Sequence, residues 1–244
     1  MLAGSVNGTP LSGVIFTMRI ATLWIFFMTV WIIAPADAWS LPSLEAIAFK
    51  AIAFMPENIQ VITEKHRSDF LTGIHELQDS PTGDTETVRK ICDLVASGSR
   101  SITDQKDFRN TVRIMGRIAS MVAISVHPLP STDSRVGPNN RTDYDIYLEK
   151  NRSFFRIRWT GIEQRPRDPN QLAHTLERSI TKSRSLAETL ITTLAENSIP
   201  ISQYDHQSIP FGAGSIAFSN AVSQTANAWL LLWQNAGGLN SALR

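Results

Sequence analysis

The strongest constraint lies between Met18 and Ala38, MRIATLWIFFMTVWIIAPADA. An arginine opens the stretch, an apolar run from Ile20 to Ala34 follows, and Ala36-Asp37-Ala38 closes it. A basic start, an apolar centre and a small-x-small exit form the layout of a secretory signal peptide. Cleavage after Ala38 would leave Trp39 as the first residue. The apolar run is short for a comfortable span of about 20 residues, so cleavage fits better than an uncleaved anchor. Met1 to Gly13 then reads as an upstream extension, with Met18 as the start. Residues 1–38 are set aside as extension and signal peptide, and residues 39–244 are expected to form one α-helical domain. The expected location is secreted or periplasmic. The alternative is a chain held in the membrane by residues 14–34.

An exported domain usually meets an oxidising compartment, but this one has a single cysteine, Cys92, so no disulfide can form within the chain. Its core alone must hold it together, and residues 39–244 are long enough for that. Cys92 falls on the apolar side of a helical pattern and reads as a small buried hydrophobe, since a reactive thiol wants a basic, exposed setting. The net charge is +1. Arg19 and Asp37 cancel within the removed segment, so the balance survives cleavage and leaves no overall footprint for nucleic acid.

Apolar residues recur at helical spacing along most of the chain. Ser43 is expected to cap a helix through Met55, and Pro56 to open a second over Glu57–Leu77. Val88, Ile91, Cys92 and Val95 mark a third, with Gly98 as its stop. The fourth, about Asp104 to Ser125, is apolar nearly all round in its second half and reads as a central helix. Ser131 to Asn140 is polar and turn-rich, and Asn140-Arg141-Thr142 fits a glycosylation sequon. Phe154 to Trp159 reads equally as a short strand or a helix end, with arginines over aromatic packing. Asp168-Pro169 caps a long helix to about Asn197. The last helix is expected over Ser215–Ala236, closing at Gly237-Gly238. The class is all-α, with about six helices.

Two features together carry a resemblance. One is the signal that leaves an N-terminal Trp. The other is the run Arg113-Ile-Met-Gly-Arg-Ile-Ala-Ser-Met-Val-Ala-Ile-Ser-Val-His-Pro-Leu-Pro130. They resemble the zinc-dependent phospholipase C and single-strand-specific nuclease superfamily, whose corresponding stretch reads Leu-Gly-x-x-x-His-x-x-x-Asp-x-x-x-Pro-x-His. Gly116, the helical run and the proline exit agree, and the Trp-containing closing helix is similar. The resemblance implies a secreted all-α fold in which the terminal Trp gives its amino group and carbonyl to a three-zinc cluster. The family's metal ligands are largely replaced. Its first histidine falls near Leu44, its helix-four histidine on Ser120, its aspartate on Ile124 and its next histidine on Pro130. A spacing of four aims two ligands from one helix face at one metal, and Ser with Ile cannot serve. The family's downstream His-x-x-x-Glu falls on Asp145 and Glu149, and its metal-bridging Asp on Asp79. The resemblance therefore leaves Trp39, Asp79, Asp145 and Glu149 as a remnant metal set. Such an oxygen-rich set favours calcium, magnesium or manganese over zinc. The alternative is that these carboxylates are solvated surface or cap residues.

The other constellations are weaker. His66 and His75 lie on opposite sides of a helix, and His75-Glu76 lacks the second histidine of a zincin. His127 sits one position from a family ligand site. It reads as a helix-end histidine, or by a register slip as a ligand. His174 and Glu177 are surface neighbours. Phe211 to Ser215 reads as a glycine-rich helix entry capped by Ser215, where an anion could sit. The functional expectation is a non-catalytic binding or interaction module with no cofactor. Its cleft, made apolar by Leu44 and Ile124, would suit a lipid or a partner protein's helix, with membrane contact only through a retained signal. The alternatives are a divergent phosphoesterase with a reduced site for a divalent metal (zinc, calcium or manganese), or an unrelated helical protein.

Overall fold

The computed structural model describes residues 39–76, 83–104, 108–129, 135, 138–159, 161–196 and 199–238. The signal reading and Asp79 lie outside them. Among the described residues there are eight α-helices and no strand. They are α1 (Leu41–Ile52), α2 (Glu57–Lys65), α3 (Arg67–His75), α4 (Asp84–Thr103), α5 (Phe108–Ser125), α6 (Pro138–Asn151), α7 (Pro169–Glu196) and α8 (Ile209–Asn235). Among them, none is long and apolar enough to cross a membrane.

The all-α expectation holds, while several boundaries differ for local physical reasons. Helix α1 starts at Leu41, not after Ser43, because Pro42 suits a first turn; Ser43 is buried and accepts from the Ser40 hydroxyl. The second expected helix is two, broken at His66, whose φ of −114° and ψ of 35° leave the helical region. Gly98 does not stop α4, which runs on to Thr103. A Cβ there would press into the Leu232 side chain on α8, so Gly98 is a point of close approach. Helix α8 starts at Ile209 with Ser208 as its cap. Gly212, Gly214 and Ser215 therefore lie inside the helix, and the expected anion-binding entry is absent there. Phe155 to Trp159 is extended but pairs with no strand.

Other signals acted as read. The Asp168 carboxylate accepts from the Gln171 N–H at 2.9 Å and caps α7. Gly237, at φ +79°, lets the chain turn so that the Gly238 N–H reaches the Trp233 carbonyl and ends α8.

Helix α5 is the hub, packed against α1, α3, α4 and α8. Its side chains are buried nearly all round from Thr111 to Ala123. Polar side chains tie neighbouring helices to carbonyl groups across the core. The Trp229 indole donates to the Met115 carbonyl, and the Ser99 hydroxyl to that of Leu232. The tightest crossing joins α3 and α5. Gly73 and Gly116 face each other's backbone there, and the Ser120 hydroxyl donates to the Ile74 carbonyl at 2.5 Å.

Candidate functional site

Trp39 lies just ahead of α1 and is 3% exposed. Its indole N–H donates to the Ala123 carbonyl at 2.8 Å. Ala123 belongs to the last turn of α5, where carbonyls have no donor within the helix. The His127 N–H, which would otherwise serve it, turns to the Ile124 carbonyl instead. The indole therefore caps the central helix from 84 residues away in sequence.

His127 follows directly. Its ring is fully buried, with Trp39 at 5.0 Å and Tyr144 at 6.3 Å in edge-on contact. Nδ1 lies 2.8 Å from the Leu129 carbonyl oxygen and 3.1 Å from the Leu129 N–H. Nε2 lies 3.1 Å from Oδ1 of Asp145, whose side chain is 14% exposed. The two atoms face each other off the line of a hydrogen bond, and neither has another partner. If Nδ1–H donates to the carbonyl, the neutral ring offers a lone pair at Nε2. If Nδ1 accepts from the N–H, the proton sits at Nε2 toward the carboxylate.

Trp39 and Asp145 of the expected metal set are thus brought together through His127. Glu149 is one turn along α6 on the same face, half-buried, and no hydrogen bond or ion pair joins it to the other three. Asp79 lies outside the described residues. Among the described residues, no group of three or more His, Cys, Asp or Glu side chains converges to hold a metal. Of the positions where the family's ligands would fall, Leu44 is buried, Ser120 is buried and bonded to Ile74, and Ile124 packs half-buried against the core. Among the described residues, those at these positions do not fit a three-metal cluster.

Neither the Cys92 thiol nor the Tyr144 hydroxyl is set up as a nucleophile beside this group. Cys92, half-buried on α4, points its thiol toward the Pro169 carbonyl at 3.8 Å. Burial pushes its pKa up, helped by the negative charges of Asp93 and Glu177. It is therefore a poor thiolate. The Tyr144 hydroxyl is fully buried and donates to the Pro210 carbonyl at 3.0 Å. Burial holds its pKa well above the ordinary value, followed by the Tyr147 and Asp145 charges.

No protein-family model, curated protein or solved structure matches the chain.

The sequence placed His127 at a helix end but not against Asp145, because nothing in an 18-residue separation fixes which faces of α5's exit and α6 meet. Its signal was Pro128, which ends α5 and is followed by the turn that puts His127 Nδ1 against Leu129. The apolar cleft expected at Leu44 and Ile124 is filled: Leu44 is buried in the core and Ile124 packs against it. Cavities open instead on the outside: one of about 370 Å³ beside α6, between Asp143, Tyr147, Lys150 and Ile201, and one of about 580 Å³ along α7, between His174, Arg178 and Lys182.

Proposed function

We propose that this is an exported all-α protein, built on the helical plan of the zinc-dependent phospholipases C, that binds a partner and does not hydrolyse phosphate esters. Ser120 carries the reading. It stands where the family's central-helix histidine falls, and its hydroxyl is engaged with Ile74 at 2.5 Å, closing the α3–α5 crossing. A hydroxyl so placed locks two helices together and leaves no room for an imidazole aimed at a metal. In this reading Trp39, His127 and Asp145 serve as a structural lock at the end of α5. With the inner positions packed, partner binding falls to the outer surface.

Mass spectrometry on protein exported by its own host tests the reading. The expected result is an intact mass beginning at Trp39, no stoichiometric metal under native conditions, and no phosphodiester hydrolysis with added zinc, manganese or calcium. Stoichiometric metal together with hydrolysis would overturn it.

One observation favours the second reading, a reduced metal-dependent phosphoesterase. Nε2 of His127 and Oδ1 of Asp145, 3.1 Å apart and unpartnered, suit two ligands of one cation at about 2.1 Å each. Loss of bound metal in the His127→Ala variant would support it.

A further inference from the structure

The chain is close to neutral, but its charge is unevenly placed. Between Lys150 and Arg167 the sequence holds six basic residues and one acid, Glu163. That segment sums to +5, so the rest of this +1 chain sums to −4. Here, among the described residues, Arg152, Arg156, Arg158 and Arg167 form no ion pair.

The segment is also held rigidly. After a short 3₁₀ turn at Arg152–Phe154, the chain runs extended along α8. The Arg158 N–H donates to the Ser219 hydroxyl at 2.9 Å, and the Arg158 carbonyl accepts from Ser223 at 3.0 Å. The Trp159 indole donates to Asn227 at 3.3 Å. Residues 219, 223 and 227 recur every four positions, so they form one row along a helix face. Pinned this way, the strap turns Phe155, Ile157 and Trp159 toward the body and leaves Arg156 and Arg158 exposed. The two arginines stand about 7 Å apart on the outer side. Phe154, beside them at the turn, is 58% exposed.

We propose that this strap docks the protein on a bilayer surface containing anionic phospholipid, with Arg156 and Arg158 on the headgroups and Phe154 entering the acyl boundary. Two exposed arginines beside an exposed aromatic ring combine the two forces that hold proteins on such surfaces. A single-stranded nucleic acid suits the strap less well. The indole that would stack a base, Trp159, packs against Phe54 at 4.9 Å and has its N–H bound to Asn227. A planar surface meets only the basic face, whereas a long polyanion that wraps the protein would also meet its acidic remainder. The inference rests on the binding-module reading, and the two fail separately: hydrolysis would refute that reading whatever the vesicles show.

The test is co-sedimentation of the full chain with vesicles of phosphatidylcholine alone or mixed with phosphatidylglycerol, at low and high salt. The difference between the two vesicle types removes any contribution of the apolar segment at residues 20–34. Binding is expected to be stronger to the mixed vesicles, and that excess to fall with salt. Arg156→Gln with Arg158→Gln is expected to weaken it on the order of thirtyfold, and Phe154→Ser to weaken it further. Among the described residues neither arginine side chain makes a bond, so the double variant should keep the wild-type helical spectrum. Lys65→Gln with Lys182→Gln removes the same charge from exposed positions off the strap and is expected to leave binding unchanged. Equal binding to neutral vesicles, equal loss in the lysine control, or tight binding to a single-stranded oligonucleotide without vesicle binding would each overturn the proposal.

Discussion

Replacing Gly116 by alanine gives the sharpest test of how the core is put together. In an isolated helix that change stabilises by about 1 kcal/mol, because alanine loses less backbone freedom. On α5 the added Cβ would overlap the Phe70 carbonyl oxygen and lie 2.8 Å from the Ile74 nitrogen. Both are backbone atoms of α3 and cannot swing aside as a side chain can. Relief requires α3 and α5 to part by about 1 Å, which forfeits up to half of the dispersion energy along the crossing. Overpacking of this kind costs about 1–3 kcal/mol. The parting also stretches the Ser120–Ile74 hydrogen bond one turn away, for about 1 kcal/mol more. The net expectation is destabilisation by about 2 kcal/mol, or a Tm lower by about 4–8 °C for a domain of this size. Thermal and urea melts followed at 222 nm measure it. Gly212→Ala is the control: it lies in the first turns of α8 with nothing within 4 Å of the new Cβ, and should raise stability by a few tenths to about 1 kcal/mol. A Gly116→Ala protein as stable as wild type would refute the close-crossing argument, as would a control that loses as much.

Four further outcomes follow from the same geometry. Gly98→Ala should cost less than Gly116→Ala, because its new Cβ meets the movable end of Leu232, and Leu232→Ala should partly rescue it in a double-mutant cycle. Trp39→Phe keeps a ring beside His127 and Phe218 but removes the donor to Ala123, and should cost about 1–3 kcal/mol in urea midpoint measurements. The Tyr144 hydroxyl has its pKa raised well above 10.0 by burial, so its stabilising contribution is complete below the free value and is lost as pH rises beyond it. Melts at rising alkaline pH should therefore show falling stability, and Tyr144→Phe should flatten that slope. The Cys92 thiol, raised above 9.0 by the same cause, should react with a disulfide reagent at pH 8 more slowly than in the urea-unfolded chain.

What could be read in the sequence was what depends on neighbours along the chain. Asp168-Pro169 and Gly237-Gly238 marked helix ends because capping and left-handed turns are local matters. The apolar run from Ile114 to Ala123 marked the central helix because a helix with no wet face has nowhere else to go. Gly98 and Gly214 looked like breaks, yet they sit inside helices because Leu232 and Leu148 press against them from elsewhere in the chain. A glycine's role cannot be told until its neighbour in space is known. Asp145 was singled out only by the resemblance, where the family's downstream histidine falls, and its meeting with His127 depends on how the chain turns after α5. Ser120 was read only as a missing ligand, while its bond to Ile74 required knowing that α3 crosses α5 at that height. The strap was half legible: its arginines and aromatics alternate plainly, but the row of Ser219, Ser223 and Asn227 that receives it looked like ordinary helix surface.

Under the proposed cleavage after Ala38, the bond from the Trp39 indole to Ala123 makes the start of the described fold a gauge of where the chain would be cut. A terminus trimmed one residue further in loses at once the donor that finishes the central helix and the ring that covers His127. The shortened chain would differ from the correct one by a single residue in length but by several kcal/mol in stability. A protease that samples open molecules would remove it first. Accurate processing and durable folding would then be policed by the same tryptophan.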